Sequence, residues 1–234
     1  MDDRQPAATD QPVETISIVL PVPQFDRQVL STVDRYREAA GELGVPLELI
    51  VVTPVVKQAQ KVPAGTAIRI LELVDWSWGR AVRRGLAQAK GDVLGYTNLN
   101  RTSAETLALM LAYTLSYRGV VLKANRRTRD SVAQRLGSLL FNAECWKLLD
   151  LASWDINGTP KMFPRACSRL LELRRDDDLI DVEFMLVCQD ENYPLLEIPT
   201  SAVPQRRDWP RTSLRQALRM YVGAFQLWRE RRQE

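Results

Sequence analysis

The 234-residue chain contains no histidine. That removes imidazole metal sites, Ser-His and Cys-His nucleophile systems, and the commonest general base near neutral pH. Cysteine is scarce: Cys145, Cys167 and Cys188 are odd in number, widely spaced and lack a CxxC pairing. No disulfide framework or thiolate zinc site follows, and three small core residues in a reducing compartment are expected. A strong excess of one charge is also missing, with 32 Lys and Arg against 29 Asp and Glu, a formal net charge of +3. Such a balance accommodates an anionic ligand but lacks the concentrated basic face of a nucleic-acid binder. The most apolar helical stretch, residues 106–117, falls short of the roughly 20 apolar residues that span a bilayer. Residues 1–14 are polar, lack the apolar centre of a signal peptide and read as a disordered lead-in. A cytoplasmic protein is expected, soluble or peripheral at the inner membrane face.

What is present suits one large folded domain, expected over residues 15–211, followed by a basic amphipathic helix over 212–234. The chain is 45% apolar and 26% charged, enough to bury a sizeable core. Apolar runs at 16–22 and 47–52 read as buried strands, the first enclosed on both faces, and 67–73, 92–97 and 120–124 as three more. Helices separate them. Asp26 is placed to cap one whose Val29, Val33, Tyr36 and Ala40 share a face, with Gly41 or Gly44 closing it. Residues 79–89 form another, with Ala81, Val82, Gly85, Leu86 and Ala89 inward. Thr102-Ser-Ala-Glu105 reads as a capping box opening a helix through Tyr117. Further helices are expected at 131–149, 166–173, 181–189 and 212–230, a short strand within 154–165, and another strand at 195–198. Alternating strands and helices predict a three-layer α/β/α fold around a mostly parallel sheet.

In such a sheet ligands lie beyond the carboxyl ends of the strands. Those ends offer Pro21, Val22, Pro23 and Gln24, then Thr53 and Pro54, then Thr97-Asn98-Leu99-Asn100. Residues 78–100, running Trp78-Gly-Arg-Ala-Val-Arg-Arg-Gly85 and then Gly91-Asp-Val, an apolar strand and Asn-Leu-Asn100, resemble the nucleotide-sugar half of family 2 glycosyltransferases with the GT-A fold. Residues 16–22 and 47–52 are similar to that family's first two strands. The resemblance implies a nucleoside-diphosphate sugar donor bound across the strand ends by Pro21, Val22, Thr53, Asn98 and Asn100, and the charge of that donor adds Arg80, Arg83 and Arg101 to the expected site.

The chain departs from the family's acidic pattern at every donor motif. Asn98 and Asn100 replace the carboxylates of Asp-x-Asp, Gln24-Phe25 stands for Asn-Glu, and Thr53-Pro-Val-Val56 for Asp-Asp-Gly-Ser. A diphosphate leaving group gathers negative charge, which a divalent cation normally stabilises, and amides supply that cation with no charge. The expectation is therefore no metal, or only weakly bound Mg2+ or Mn2+. Arg80, Arg83, Arg101 and the helix start at Gly79 could replace it. Alternatively, these arginines are solvated surface groups.

The second half resembles dolichyl-phosphate mannose synthase-like members of the same family. The carrying residues are Lys123-Ala-Asn-Arg126, Arg135, the run Asp155-Ile-Asn-Gly-Thr-Pro-Lys161-Met-Phe-Pro-Arg165, Asp181-Val-Glu183 and the segment from Arg206-Arg207 to Ser213. The resemblance implies an acceptor phosphate held by Arg126, Arg135, Lys161 and Arg207, with Asp155, Glu183 and Lys161 as the catalytic group. A phosphate monoester is already anionic, so it can attack without a strong base. The acceptor could be a polyprenyl phosphate at a membrane surface. The residue-by-residue alternative is structural: Asp155 capping a turn, Lys161 exposed. Asp176-Asp-Asp178 reads as a solvated polar turn. The terminal helix, with Leu214, Leu218, Tyr221, Val222, Phe225 and Trp228 on one stripe, either packs on its own domain or a twin subunit, or lies on an anionic membrane. The rival functions are an inactive GT-A homologue that binds a ligand or partner, and a peripheral scaffold.

Overall fold

The structure, a computed structural model, describes residues 15–54, 68–126, 132–201 and 214–233. The expected lead-in over 1–14 lies outside the described residues. So do Arg207, the rest of the basic loop around it and, as a side chain, Arg135.

Seven strands form one sheet. They are β1 (Ile16–Pro21), β2 (Leu47–Thr53), β3 (Ile68–Glu72), β4 (Val93–Tyr96), β5 (Val121–Arg126), β6 (Lys161–Pro164) and β7 (Leu195–Thr200). Their spatial order is β3-β2-β1-β4-β6-β5-β7, and only β6 runs antiparallel to its neighbours. Helices α1 (Arg27–Glu42) and α3 (Ala104–Ser116) cover one face. Helices α2 (Trp78–Leu86), α4 (Val132–Leu149), α5 (Ile180–Asp190) and α6 (Leu214–Arg231) cover the other. β1 shows why the central strands are apolar throughout: Ile16, Ile18 and Leu20 point into the α1/α3 layer while Val19 packs against the opposite one.

Local chemistry sets the helix boundaries. Asp26 caps α1, its carboxylate accepting the Val29 N–H at 2.9 Å, and Val29, Val33, Tyr36 and Ala40 are the buried face. Gly44 takes the positive φ, 66°, that reverses the chain after α1. α3 corrects the expected cap. Ser103, not Thr102, accepts the Thr106 N–H at 3.1 Å, because Thr102 is engaged elsewhere: its hydroxyl shares a 2.7 Å hydrogen bond with Thr97, and its carbonyl accepts the Tyr36 hydroxyl at 2.8 Å. The expected helix at 166–173 shrinks to one 3-10 turn, Ser168–Leu171. α6 packs on the domain, with Ala224 and Leu227 in the core.

All three cysteines are buried thiols. Burial pushes Cys167 up to about 11 and Cys145 and Cys188 up to about 12. It also drives the Tyr96 phenol well above its usual value, with the Asp181 charge adding to the effect. Unfolded thiols titrate near 9.0, so above that pH the unfolded chain gives up protons that the native chain keeps. Stability contributed by these groups is complete below pH 9.0 and is lost as pH rises through the native values. The cysteine contribution to the urea midpoint is expected to hold steady to that point and then fall. A thiol reagent at neutral pH is expected to modify the cysteines only as fast as the protein opens.

Candidate functional site

The topology fixes where a ligand can sit. The chain steps outward from β1 to β2 to β3, then returns through α2 to place β4 on the other side of β1. Strand ends flanking such a reversal are where open α/β sheets take ligands. Pro21 and Val22 stand at the end of β1, with buried Thr53 beyond them at the end of β2. The segment from Asn98 to Arg101 follows β4. It is a tight turn: Asn98 Oδ1 accepts the Asn100 N–H at 3.0 Å and the Asn98 carbonyl accepts the Arg101 N–H at 2.8 Å. Asn98 and Arg101 are half-buried, and Asn100 is buried. The amide oxygen of Asn98 thus shapes the loop.

One loop joins this turn to the end of β5. Because β6 is reversed, the residues leading into it lie between the carboxyl ends of β4 and β5, with Lys161 opposite both Tyr96 and Lys123. Thr159 Oγ1 accepts the Asn98 N–H at 3.3 Å. The Asn157 carbonyl accepts from the Arg126 guanidinium at 2.9 Å. A Cβ on Gly158 would overlap the Ala124 carbonyl oxygen, so only glycine lets the loop lie this close to β5. The structure therefore brings Asn98, Asn100, Arg101, Asp155 and Arg126 to one edge of the sheet.

Three ion pairs support that edge from within. Asp155 receives the Arg126 guanidinium in a two-pronged contact, Nε and Nη2 each at 2.8 Å, plus the Arg126 N–H at 2.9 Å. Burial opposes the Arg126 charge, but the Asp155 hydrogen bond and charge outweigh it and keep the guanidinium protonated. Lys161, wholly enclosed, pairs with Asp181 and donates to the Ile156 carbonyl at 2.8 Å, between the Tyr96 and Phe184 rings. Asp181 also accepts from the Tyr96 hydroxyl at 2.8 Å and the Trp78 indole at 3.3 Å. Lys123 reaches Glu197 at 3.2 Å and the Asp155 carbonyl at 2.8 Å. Burial lowers the pKa of both lysines, and their carboxylate partners oppose the shift.

These contacts revise several sequence expectations. Lys161 is neither exposed nor at the ligand edge: its ammonium is spent inside the core. Glu183 does not join it. Its carboxylate accepts the backbone N–H groups of Arg174 and Arg175 at 2.8–3.0 Å, fixing the turn before α5. Asp181 is the acid that meets Lys161, and its signal was helical phase. Asp181, Phe184 and Cys188 share the buried face of α5, and Glu183 lies off it.

Arg80 and Arg83 likewise differ from expectation. Both pair with Asp176, and Arg83 also donates to the Arg174 carbonyl at 3.0 Å. The Asp176 carbonyl accepts the Arg80 N–H at 3.2 Å and the Ser77 hydroxyl, so the chain's own backbone fills the start of α2. Gly79 permits this, since a Cβ there would sit 2.5 Å from the Arg175 carbonyl oxygen. The acidic turn is consequently a structural keystone and not a solvated loop: Asp177 caps the Leu179 N–H at 3.0 Å and Asp178 accepts from Gln216 of α6. Gly79→Ala is expected to cost about 1–3 kcal/mol through overpacking. Asp176→Asn, which loses only half-exposed pairs, is expected to cost less than about 1 kcal/mol. Parallel urea melts of the two variants measure the difference.

No family model and no curated sequence matches the chain. Solved structures do. A protein described as mycobacterial superposes with a TM-score of 0.69 at 17% identity, covering 92% of this chain and 74% of its own. Glucosyl-3-phosphoglycerate synthase from Mycobacterium tuberculosis, in complex with Mn2+, UDP and glucosyl-3-phosphoglycerate, superposes at 0.68 and 15% identity, covering 92% and 80%. The fold is GT-A. The same synthase bound to UDP gives 0.64 at 17% identity, covering 90% and 80%.

That synthase binds Mn2+, and this chain's donor set does not suit such an ion. Asn98 and Asn100 are neutral amides, the Asn98 oxygen already accepts a hydrogen bond, and no cluster of three acidic or thiol ligands exists among the described residues. No helix among those residues is long and apolar enough to cross a membrane.

Proposed function

We propose that this protein is a GT-A glycosyltransferase that binds a nucleoside-diphosphate sugar between the ends of β1 and β4 and transfers the sugar to a phosphate-bearing acceptor near Arg126. The observation that carries this reading is the Asn98–Arg101 turn at the strand-order reversal, joined through residues 155–160 to the end of β5. A donor at the first and an acceptor at the second would be held by one short loop. The solved neighbours that bind UDP, and a phosphorylated acceptor product, support the same pairing of ligands.

Lys161 pairs with Asp181, Lys123 with Glu197, Arg126 with Asp155, and Arg80 and Arg83 with Asp176. Arg101 closes the turn that follows β4, and its permanent charge at that position would take the part of a metal ion in steadying the departing diphosphate. Transfer would be a single displacement. An oxygen of the acceptor phosphate attacks the anomeric carbon from the face opposite the departing diphosphate. The carbon–oxygen bond to the diphosphate breaks, and its electron pair leaves with the nucleoside diphosphate. No carboxylate needs to remove a proton, which matters because Asp155 and Glu183 are already engaged. Asp155 acts as a positioning residue for Arg126, and Lys161 supports the edge from beneath.

Calorimetric titration with UDP-glucose in the presence of EDTA tests the donor assignment. Binding is expected without metal. Arg101→Ala is expected to weaken it about tenfold to a hundredfold, the worth of a charged hydrogen bond of about 1.5–3 kcal/mol. If UDP-, GDP- and dTDP-sugars all fail to bind, the enzyme reading is lost and the inactive-homologue reading takes its place.

A further inference from the structure

Helices α4 and α6 pack side by side, and each keeps an apolar stripe on the side facing away from the core. On α4, Phe141, Cys145 and Leu149 point inward. Leu136, Leu139, Leu140 and Trp146 recur at helical spacing on the opposite side, with Leu136, Leu140 and Trp146 more than half exposed at 57%, 56% and 61%. On α6, Gly223, Ala224 and Leu227 face the core, while Leu218, Val222 and Phe225 point out at 64%, 50% and 44% exposure. Tyr221 locks the two helices together. Its hydroxyl donates to the Gly137 carbonyl at 2.8 Å and its ring meets Phe141 edge-on at 5.6 Å. The helices therefore cannot roll to hide these residues. Scattered surface apolar residues need no explanation; seven on the outward sides of two helices packed against each other do.

Charge identifies what covers this face. Lys147 on α4 and Arg215, Arg219 and Arg229 on α6 are exposed around it. The nearby acids are occupied or withdrawn. Glu230 pairs with Arg175, and Asp190 is taken by Arg231. Glu144 is half-buried, with its carboxyl pKa raised by burial. A second copy of the chain, related by a two-fold axis, would set these cations against themselves. We infer that the α4/α6 face docks on a bilayer surface carrying anionic headgroups, with the leucine and tryptophan side chains entering the headgroup boundary and the arginines and Lys147 pairing with lipid phosphates. Apolar insertion combined with basic attraction is the physical basis of such attachment, and exposed tryptophan suits the interface.

The experiment is sedimentation of the full-length protein with vesicles of phosphatidylcholine alone or mixed with phosphatidylglycerol, at low and high salt. Binding is expected to be at least about tenfold stronger on the mixed vesicles and to weaken with salt. Leu136→Glu with Leu218→Glu should abolish it, and Arg215→Glu with Arg219→Glu should remove the preference for phosphatidylglycerol. Both pairs lie on the exposed face, so unchanged circular dichroism and melting should accompany the loss. Equal binding to both vesicle types would overturn the inference, as would no binding at all. A dimer in light scattering that Leu136→Glu splits, without vesicle binding, would assign the face to a second copy. None of these outcomes bears on donor binding, which the UDP-glucose titration reads separately.

Discussion

Replacing Asp181 by leucine is expected to destabilise the protein by about 3–5 kcal/mol, because it strands the Lys161 ammonium in the core without its counter-charge. Lys161 has no exposed surface, and its other contacts are one carbonyl and two aromatic rings. Lys161→Met is expected to cost less, since the Tyr96 hydroxyl and Trp78 indole still donate to the Asp181 carboxylate. Combining the two substitutions should recover most of the loss, and the double-mutant cycle reads the coupling directly. The pH dependence distinguishes this from simple loss of packing. Burial already lowers the Lys161 pKa from its usual 10.5, and removing Asp181 lowers it further. A lysine with a depressed native value contributes stability above its unfolded pKa and loses it as pH falls through the native one. Relative to the wild type, which shares its buried thiols and Tyr96, Asp181→Leu should therefore gain stability as pH rises towards 10.5. Urea midpoints across that range settle the matter. An unchanged midpoint for Asp181→Leu would mean that the pair carries none of the weight assigned to it.

Converting Asn98→Asp together with Asn100→Asp is expected to make donor binding respond to metal. Both positions keep a side-chain oxygen where the amide oxygen stands, and a carboxylate at 98 can still accept the Asn100 N–H. The exchange adds two negative charges beside the proposed path of the diphosphate. Without a cation the variant should bind UDP-glucose more weakly than wild type. With Mn2+ its affinity should rise at least about tenfold, or about 1.4 kcal/mol, while the wild type stays level. Asn100 is only 5% exposed, so the variant should also melt earlier without metal and recover when Mn2+ is added. An Mn2+ response of equal size in both proteins would show that another set of ligands holds the ion.

The parts of the fold legible in the sequence were those governed by local chemistry. Asp26 and the Val29-Val33-Tyr36-Ala40 stripe define α1 within sixteen residues, and the double-faced apolar runs mark the strands. What escaped depends on partners distant in sequence. Thr102 lost its capping role to Thr97 and to Tyr36, 66 positions away. The helix expected at 166–173 stops short because the Arg174 and Arg175 N–H groups turn to Glu183, and Leu170 and Leu173 can both be buried by one tight turn. The same effect redirected the charges. Arg80 and Arg83 look available for a phosphate until Asp176, more than 90 positions on, claims both. The narrower likeness to dolichyl-phosphate mannose synthase-like proteins rests on the motifs themselves.

The proposed donor site puts a nucleoside diphosphate between the ends of β1 and β4, with Arg101 in place of a metal ion. Diffraction from crystals soaked in UDP and Mn2+, recorded at the manganese edge, would show both. The diphosphate is expected beside Asn98–Arg101, within hydrogen-bonding reach of the Arg101 guanidinium, with no anomalous peak between the phosphates and Asn98 or Asn100. A manganese peak bridging the diphosphate to those asparagines, or a diphosphate bound away from the turn, would contradict it.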